Sequence, residues 1–188
     1  MKVQANTLRP GHVIEFEGRQ FAVVKYDLIL PGKGNAFIAV DMRDVHTGVK
    51  TNQRWRTADT VEKLNTDERT CTVLFTEDDQ MTLMDSETFE QFSVPKDMAG
   101  DSAVYLTEGM EVTVDTVESS PVGVHAPAQV TLAVAEADAV VKGQTASSSY
   151  KPAILENGVK VMVPPHIETG TRIVVNTADS SYIERAKD

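Results

Sequence analysis

The apolar and polar positions alternate in many short runs, rich in β-branched and aromatic residues, and turn residues close almost every run. In the first third this pattern predicts strands over His12–Phe16, Arg19–Lys25, Asn35–Asp44 and Lys50–Arg56. The joints fall at Glu17-Gly18, Pro31-Gly32-Lys33-Gly34 and Thr47-Gly48. The middle third continues with Cys71–Thr76 and Gln80–Met84 around Glu77-Asp78-Asp79, then Glu111–Val117 and Val122–Ala126 around Ser119-Ser120-Pro121. One short helix is expected over Asp101–Glu108, capped by Asp101 and stopped by Gly109. The last third predicts strands over Gln129–Ala135, Ala153–Leu155, Lys160–Val163, Thr171–Val175 and Ser181–Ile183. It also has a Gly/Ser/Thr loop over Gly143–Ser149 and a hairpin turn at Glu156-Asn157-Gly158.

The fold class is therefore all-β. The first third reads as a small twisted barrel. About five strands per sixty residues, twice in succession, points to two five-stranded barrels of the oligonucleotide-binding kind. Boundaries are expected near Lys63 to Asn65 and Pro127 to Ala128, dividing the chain into 1–63, 64–127 and 128–188. No strict sequence repeat relates these parts.

Charge separates them more sharply than hydropathy does. The formal net charge is −10. Residues 1–63 carry 10 Lys+Arg against 7 Asp+Glu, residues 64–127 carry 2 against 14, and residues 128–188 carry 6 against 7. Phosphate binding needs cations that displace counterions, so any RNA contact must be local and centred on the first third. No apolar run approaches the roughly 20 residues of a membrane helix, and the first residues lack a secretory pattern, so a cytoplasmic chain without membrane contact is expected.

Chemistry is sparse. Cys71 is the only cysteine, which leaves no disulfide and reads as a buried small hydrophobe. His12, His46, His125 and His166 are scattered without ligand spacing, so no metal or other cofactor is expected. Glu77-Asp78-Asp79 lacks a calcium-loop pattern and reads as a solvated turn. There is no Gly-x-Ser-x-Gly motif or Cys/His pairing, and Gly32-Lys33-Gly34 lacks the spacing of a phosphate-cradling loop. An enzyme would need a site assembled from dispersed residues.

The stretch Leu28-Ile29-Leu30-Pro31-Gly32-Lys33-Gly34-Asn35-Ala36-Phe37 is the most informative. Pro31 stiffens one flank, and Gly32 and Gly34 make a narrow tip whose one bulky group is Lys33. Spacing alone leaves two readings open. One is an ordinary solvated hairpin end; the other is a probe whose ammonium, reaching about 6 Å on its flexible stem, enters a crevice.

Three stretches together resemble the bacterial elongation factor P family. They are the tip Pro31 to Phe37, the segment Met84-Asp85-Ser86-Glu87-Thr88-Phe89-Glu90-Gln91, and a signature with Lys151-Pro152-Ala153, Gly158, Val161, Val163-Pro164, Ile167 and Gly170. The resemblance runs end to end. It implies a KOW or SH3-like barrel followed by two OB-fold barrels in an L-shaped, tRNA-like arrangement. It further implies a non-enzymatic translation factor that binds both ribosomal subunits beside P-site tRNA and relieves stalling at consecutive prolines. Lys33 would face the CCA end near the peptidyl-transferase centre, supported by Pro31, Gly32 and Gly34, and would be a target for a lysine-modifying enzyme. Lys25, Arg43, Lys50, Arg54 and Arg56 are the supporting cations expected from the basic first third. Gly143, Gln144 and Thr145 match the family's loop near the E-site codon; many members carry Asp where this chain has Gln144. Tyr182 and Arg185 match a C-terminal pair expected to meet RNA by stacking and phosphate pairing. A tRNA-sized site implies a monomer. The competing reading is a general RNA-binding module without a ribosomal role.

Overall fold

In a computed structural model of the chain, the structure describes residues 1–139 and 149–187. The fold is all-β, and among the described residues the strands pair antiparallel and assemble into three sheets. The first contains β1 (Lys2–Gln4), β2 (Val13–Phe16), β3 (Arg19–Ile29), β4 (Phe37–Asp44), β5 (Lys50–Arg56) and β6 (Thr60–Leu64), ordered β1-β6-β2-β3-β4-β5. Its core is Leu8, Ile14, Phe21, Val23, Ile38, Val40 and Met42, with Trp55 packed against it. Glu17 and Gly18 both take positive φ between Phe16 and Arg19, the geometry of a two-residue turn that matches strand twist.

The second sheet holds β7 (Asp67–Glu77), β8 (Gln80–Asp85), β9 (Gln91–Pro95), β10 (Glu111–Val117) and β11 (Ser120–His125), ordered β11-β10-β7-β8-β9. The third holds β12 (Gln129–Ala137), β13 (Lys151–Leu155), β14 (Lys160–Val163), β15 (Arg172–Asn176) and β16 (Ser181–Arg185), ordered β14-β13-β12-β15-β16. The two share one topology: the first strand is central, the next two extend to one side and the last two to the other. Each central strand carries a bulge, near Leu74 and Ala135. Such bulges bend the strand so that it serves both halves of a curled sheet. Val73 and Val134 make equivalent bonds, each accepting from a positive-φ glycine, Gly109 and Gly170 respectively. Cys71 is fully buried, and burial pushes its thiol pKa up.

Contacts divide the chain into two compact units. One comprises residues 1–100 and 108–125, and so carries the first and second sheets. Within it Val13, Val117 and Val122 form a small shared cluster with Val45 and Leu64. The other comprises residues 101–107 and the chain from Ala126 onward. In it Tyr105 is buried, its Oη 2.5 Å from Ser180 Oγ, and Asn157 Nδ2 donates to the Val104 carbonyl at 3.1 Å.

Several expectations need correction. β1, β6 and β9 are strands the pattern did not reveal. The short helix is not an α-helix over Asp101–Glu108. It is 3-10 backbone over Lys96–Tyr105, broken at Gly100 (φ 59°, ψ −140°). The turn expected at Ser119-Ser120-Pro121 lies one residue earlier, at Glu118-Ser119, both with positive φ. Among the described residues no helix is long and apolar enough to cross a membrane.

Candidate nucleic-acid interface

β3 and β4 pair as far as Ile29 opposite Phe37, so residues 30–36 project beyond the last rung of the first sheet. Lys33 lies exposed at the tip, with Pro31, Gly32, Gly34 and Asn35 exposed around it. The two glycines differ. Gly34 has φ +107°, a conformation that L residues resist, whereas Gly32 shows no such angle and a Cβ there would meet nothing within 4 Å. The loop's flanks are apolar and open to solvent: Leu30 is 74% exposed and Leu28 50%.

The pleat of β3, β4 and β5 sorts residues onto two faces. One face packs Ile38, Val40 and Met42 into the core. The other carries cross-strand rows: Ile29-Phe37-Arg56 nearest the loop, then Asp27-Ala39-Arg54, then Lys25-Asp41-Asn52. Arg54, Arg56 and Lys50 are exposed along β5. Lys25 Nζ lies 3.4 Å from Asp41 Oδ2, while Asn52 Nδ2 donates to Asp41 Oδ1 at 2.5 Å. The Asn52 bond, with help from Lys25, holds the Asp41 carboxyl below its ordinary range. Lys25 is itself 70% exposed, so this pair is a weak tie that leaves the ammonium available.

Arg43 departs from expectation. It is buried, and its Nη1 donates to the Asp97 carbonyl in the segment after β9. Burial lowers its pKa, opposed by the Asp97 charge. This guanidinium is used inside the protein, bracing the first sheet against the second, and is not open to solvent as the other basic residues of β3 and β5 are.

In the third sheet, residues three apart on a regular strand would face opposite ways, but a bulge at Ile183 changes the register. Tyr182 is opposite Val175 and Arg185 opposite Ile173, placing both on one face. Arg185 is exposed. Tyr182 is half-buried, and burial raises its hydroxyl pKa. Tyr150, which sequence reasoning passed over, packs edge-on to Tyr182 at a centroid distance of 6.3 Å. Together with Lys160, Met162 and Ser181 they line a cleft of about 390 Å3. An aromatic beside the Lys151-Pro152 signature was the available signal. Gly143, Gln144 and Thr145 lie outside the described residues.

Other sequence candidates take structural places. His125 Nε2 sits 2.5 Å from Asp115 Oδ2, and that bond raises its pKa. Among the described residues no group of three or more His, Cys, Asp or Glu is gathered as a metal site.

Comparison with known proteins agrees along the whole chain. Residues 4–61 match the elongation factor P KOW-like domain, residues 66–124 the elongation factor P OB domain, and residues 130–185 the elongation factor P C-terminal domain. "Elongation factor P" of Rhodospirillum rubrum is 65% identical over 187 residues, and that of Acidiphilium cryptum 64%, each match covering 100% of both chains. A solved structure titled eukaryotic translation initiation factor 5A from Methanococcus jannaschii matches at 26% identity and a TM-score of 0.43, over 65% of this chain and 88% of its own. An exposed lysine tip on a basic sheet, two five-stranded sheets of shared topology, and domain matches in the same order meet in one conclusion: this chain belongs to the elongation factor P family of translation factors.

Proposed function

We propose that the protein binds the ribosome beside P-site peptidyl-tRNA and promotes peptide-bond formation where consecutive prolines stall it. The observation that carries this reading is Lys33, exposed at the end of a loop that outruns its sheet, between two residues without side chains. Such a tip enters a crevice with little steric cost. Lys25, Lys50, Arg54 and Arg56 supply cations behind it for acceptor-stem phosphates, and Tyr182 and Arg185 supply a stacking and phosphate-pairing contact at the far end of the chain. Gly143, Gln144 and Thr145 are proposed to face the small subunit.

The protein catalyses nothing itself. Proline's ring restricts the geometry of the reacting ends, and transfer rate falls steeply with misplacement. A charged contact that steadies the tRNA end can restore rate, since each factor of ten needs only about 1.4 kcal/mol. The factor acts as a cytoplasmic monomer, and Lys33 is the residue a modifying enzyme would extend; intact-mass measurement of protein from its native host tests this. A reporter with a run of prolines tests the main reading. Lys33→Ala should reduce rescue to the level seen without the factor while leaving the fold intact. Normal rescue by that variant rejects it.

A further inference from the structure

The β8–β9 turn repeats the hydrogen bonds of the turn between β4 and β5, with a phenylalanine where the other has glycine. In the β4–β5 turn, Asp44 Oδ1 accepts from the His46 and Thr47 N–H groups at 2.8 and 2.9 Å, and the Gly48 N–H donates to the Asp44 carbonyl at 2.8 Å. In the β8–β9 turn, Asp85 Oδ1 accepts from Glu87 and Thr88 at 2.8 and 3.1 Å, and the Phe89 N–H donates to the Asp85 carbonyl at 2.9 Å. The fifth residue takes positive φ in both, 75° at Gly48 and 62° at Phe89. Glycine suits that angle; a bulky aromatic is a true outlier there. The ring gains little burial in return, because Phe89 is 69% exposed.

We propose that Phe89 is a docking side chain, held out by the Asp85 turn to enter an apolar pocket in a basic protein surface. Strain with little burial at a rigid turn is the mark of a residue kept for a partner. The partner's class follows from charge. Residues 64–127 hold 2 Lys+Arg against 14 Asp+Glu, and Glu87 and Glu90, both exposed, lie within two residues of Phe89 in the chain. Phosphate is repelled by such a surface, so an unpaired base is a poor occupant, whereas a protein pocket rimmed by Lys and Arg is complementary. This rests on the ribosome reading above: the partner is a basic protein component of that particle.

Binding of the full chain to 70S ribosomes tests it, with Phe89→Gly, Phe89→Tyr and a Phe89→p-benzoylphenylalanine crosslinking variant. The Phe89→Gly variant should bind about tenfold more weakly, equivalent to about 1.4 kcal/mol, yet melt no lower than the parent chain because the backbone strain is gone. Phe89→Tyr keeps the ring and should bind within about twofold. The crosslink should go to a basic ribosomal protein. Equal binding by Phe89→Gly, a lower melting temperature for it, or a crosslink to ribosomal or transfer RNA overturns the proposal and leaves the Lys33 mechanism standing. Failure of the parent chain itself to bind ribosomes overturns both.

Discussion

Strand β4 ends in two very different connections. At its C-terminal end the Asp44 turn is tied from within: the carboxylate is 2% exposed, accepts two backbone N–H groups and meets Arg19 at 2.5 Å. At its N-terminal end the Lys33 loop has no side-chain hydrogen bond or ion pair of its own among the described residues, and most of it is exposed. The difference separates two uses of a hairpin. A turn whose carboxylate is satisfied internally holds its own shape, whereas the exposed Lys33 loop leaves its cation uncommitted and open to another molecule.

The sharpest way to break this contrast is to remove each charge in turn. Lys33→Ala should abolish proline-run rescue while shifting stability by no more than about 0.5 kcal/mol, as expected for an exposed site. Asp44→Ala should do the reverse. Orphaning two N–H groups and the Arg19 partner should cost about 2–3 kcal/mol in denaturant unfolding, followed through Trp55, the chain's single tryptophan, which packs on the first core. If Asp44→Ala unfolds like the parent chain, the turn is not the internally tied element described here.

Acid should discriminate the two ends as well. Burial raises the Asp44 pKa, but the Thr47 and His46 N–H groups and Arg19 outweigh it, and the net shift is downward. The unfolded chain therefore takes up a proton at Asp44 before the folded one does. The stabilisation is complete above the ordinary carboxylate pKa of about 4 and is lost as pH falls below it through the folded value. Asp44→Asn should flatten that acid limb in a pH series of unfolding curves. Lys33→Ala should leave it unchanged.

The smallest effects divide the tip glycines. Gly34→Ala meets φ +107° and should cost about 1 kcal/mol or a rearranged tip. Gly32→Ala meets open space and should leave unfolding unchanged. If Gly32→Ala nevertheless lowers proline-run rescue, the side chain is excluded by something outside the protein, as a crevice would require.

Much of this was legible in the sequence where local signals coincide. β5, β10 and β14 fall at the residues expected, because alternating apolar positions and turn residues agree on both ends. β1, β6 and β9 were not legible. Lys2–Gln4 is too short to show a period, and Thr60–Leu64 and Gln91–Pro95 are strands through pairing with Val13–Glu15, Lys2–Gln4 and Gln80–Met84. Arg43 failed for a similar reason: a charged strand residue reads as solvated, and its partner carbonyl lies 54 residues away. The Lys33 tip was legible because proline and glycine write loop geometry locally. The Phe89 strain was not, since propensity assigns no positive φ to phenylalanine.

The route of the chain past Gly100 bears on how the molecule can be dissected. Residues 101–107 count with the chain beyond Ala126, and Tyr105 is covered there with Ser180 at its hydroxyl. A fragment ending at His125 would keep that tyrosine and discard its cover, leaving an aromatic ring to recruit neighbours in solution. An attempt to isolate the front of the protein by cutting where the sequence most invites it would produce a sticky fragment, and the stickiness would belong to the cut.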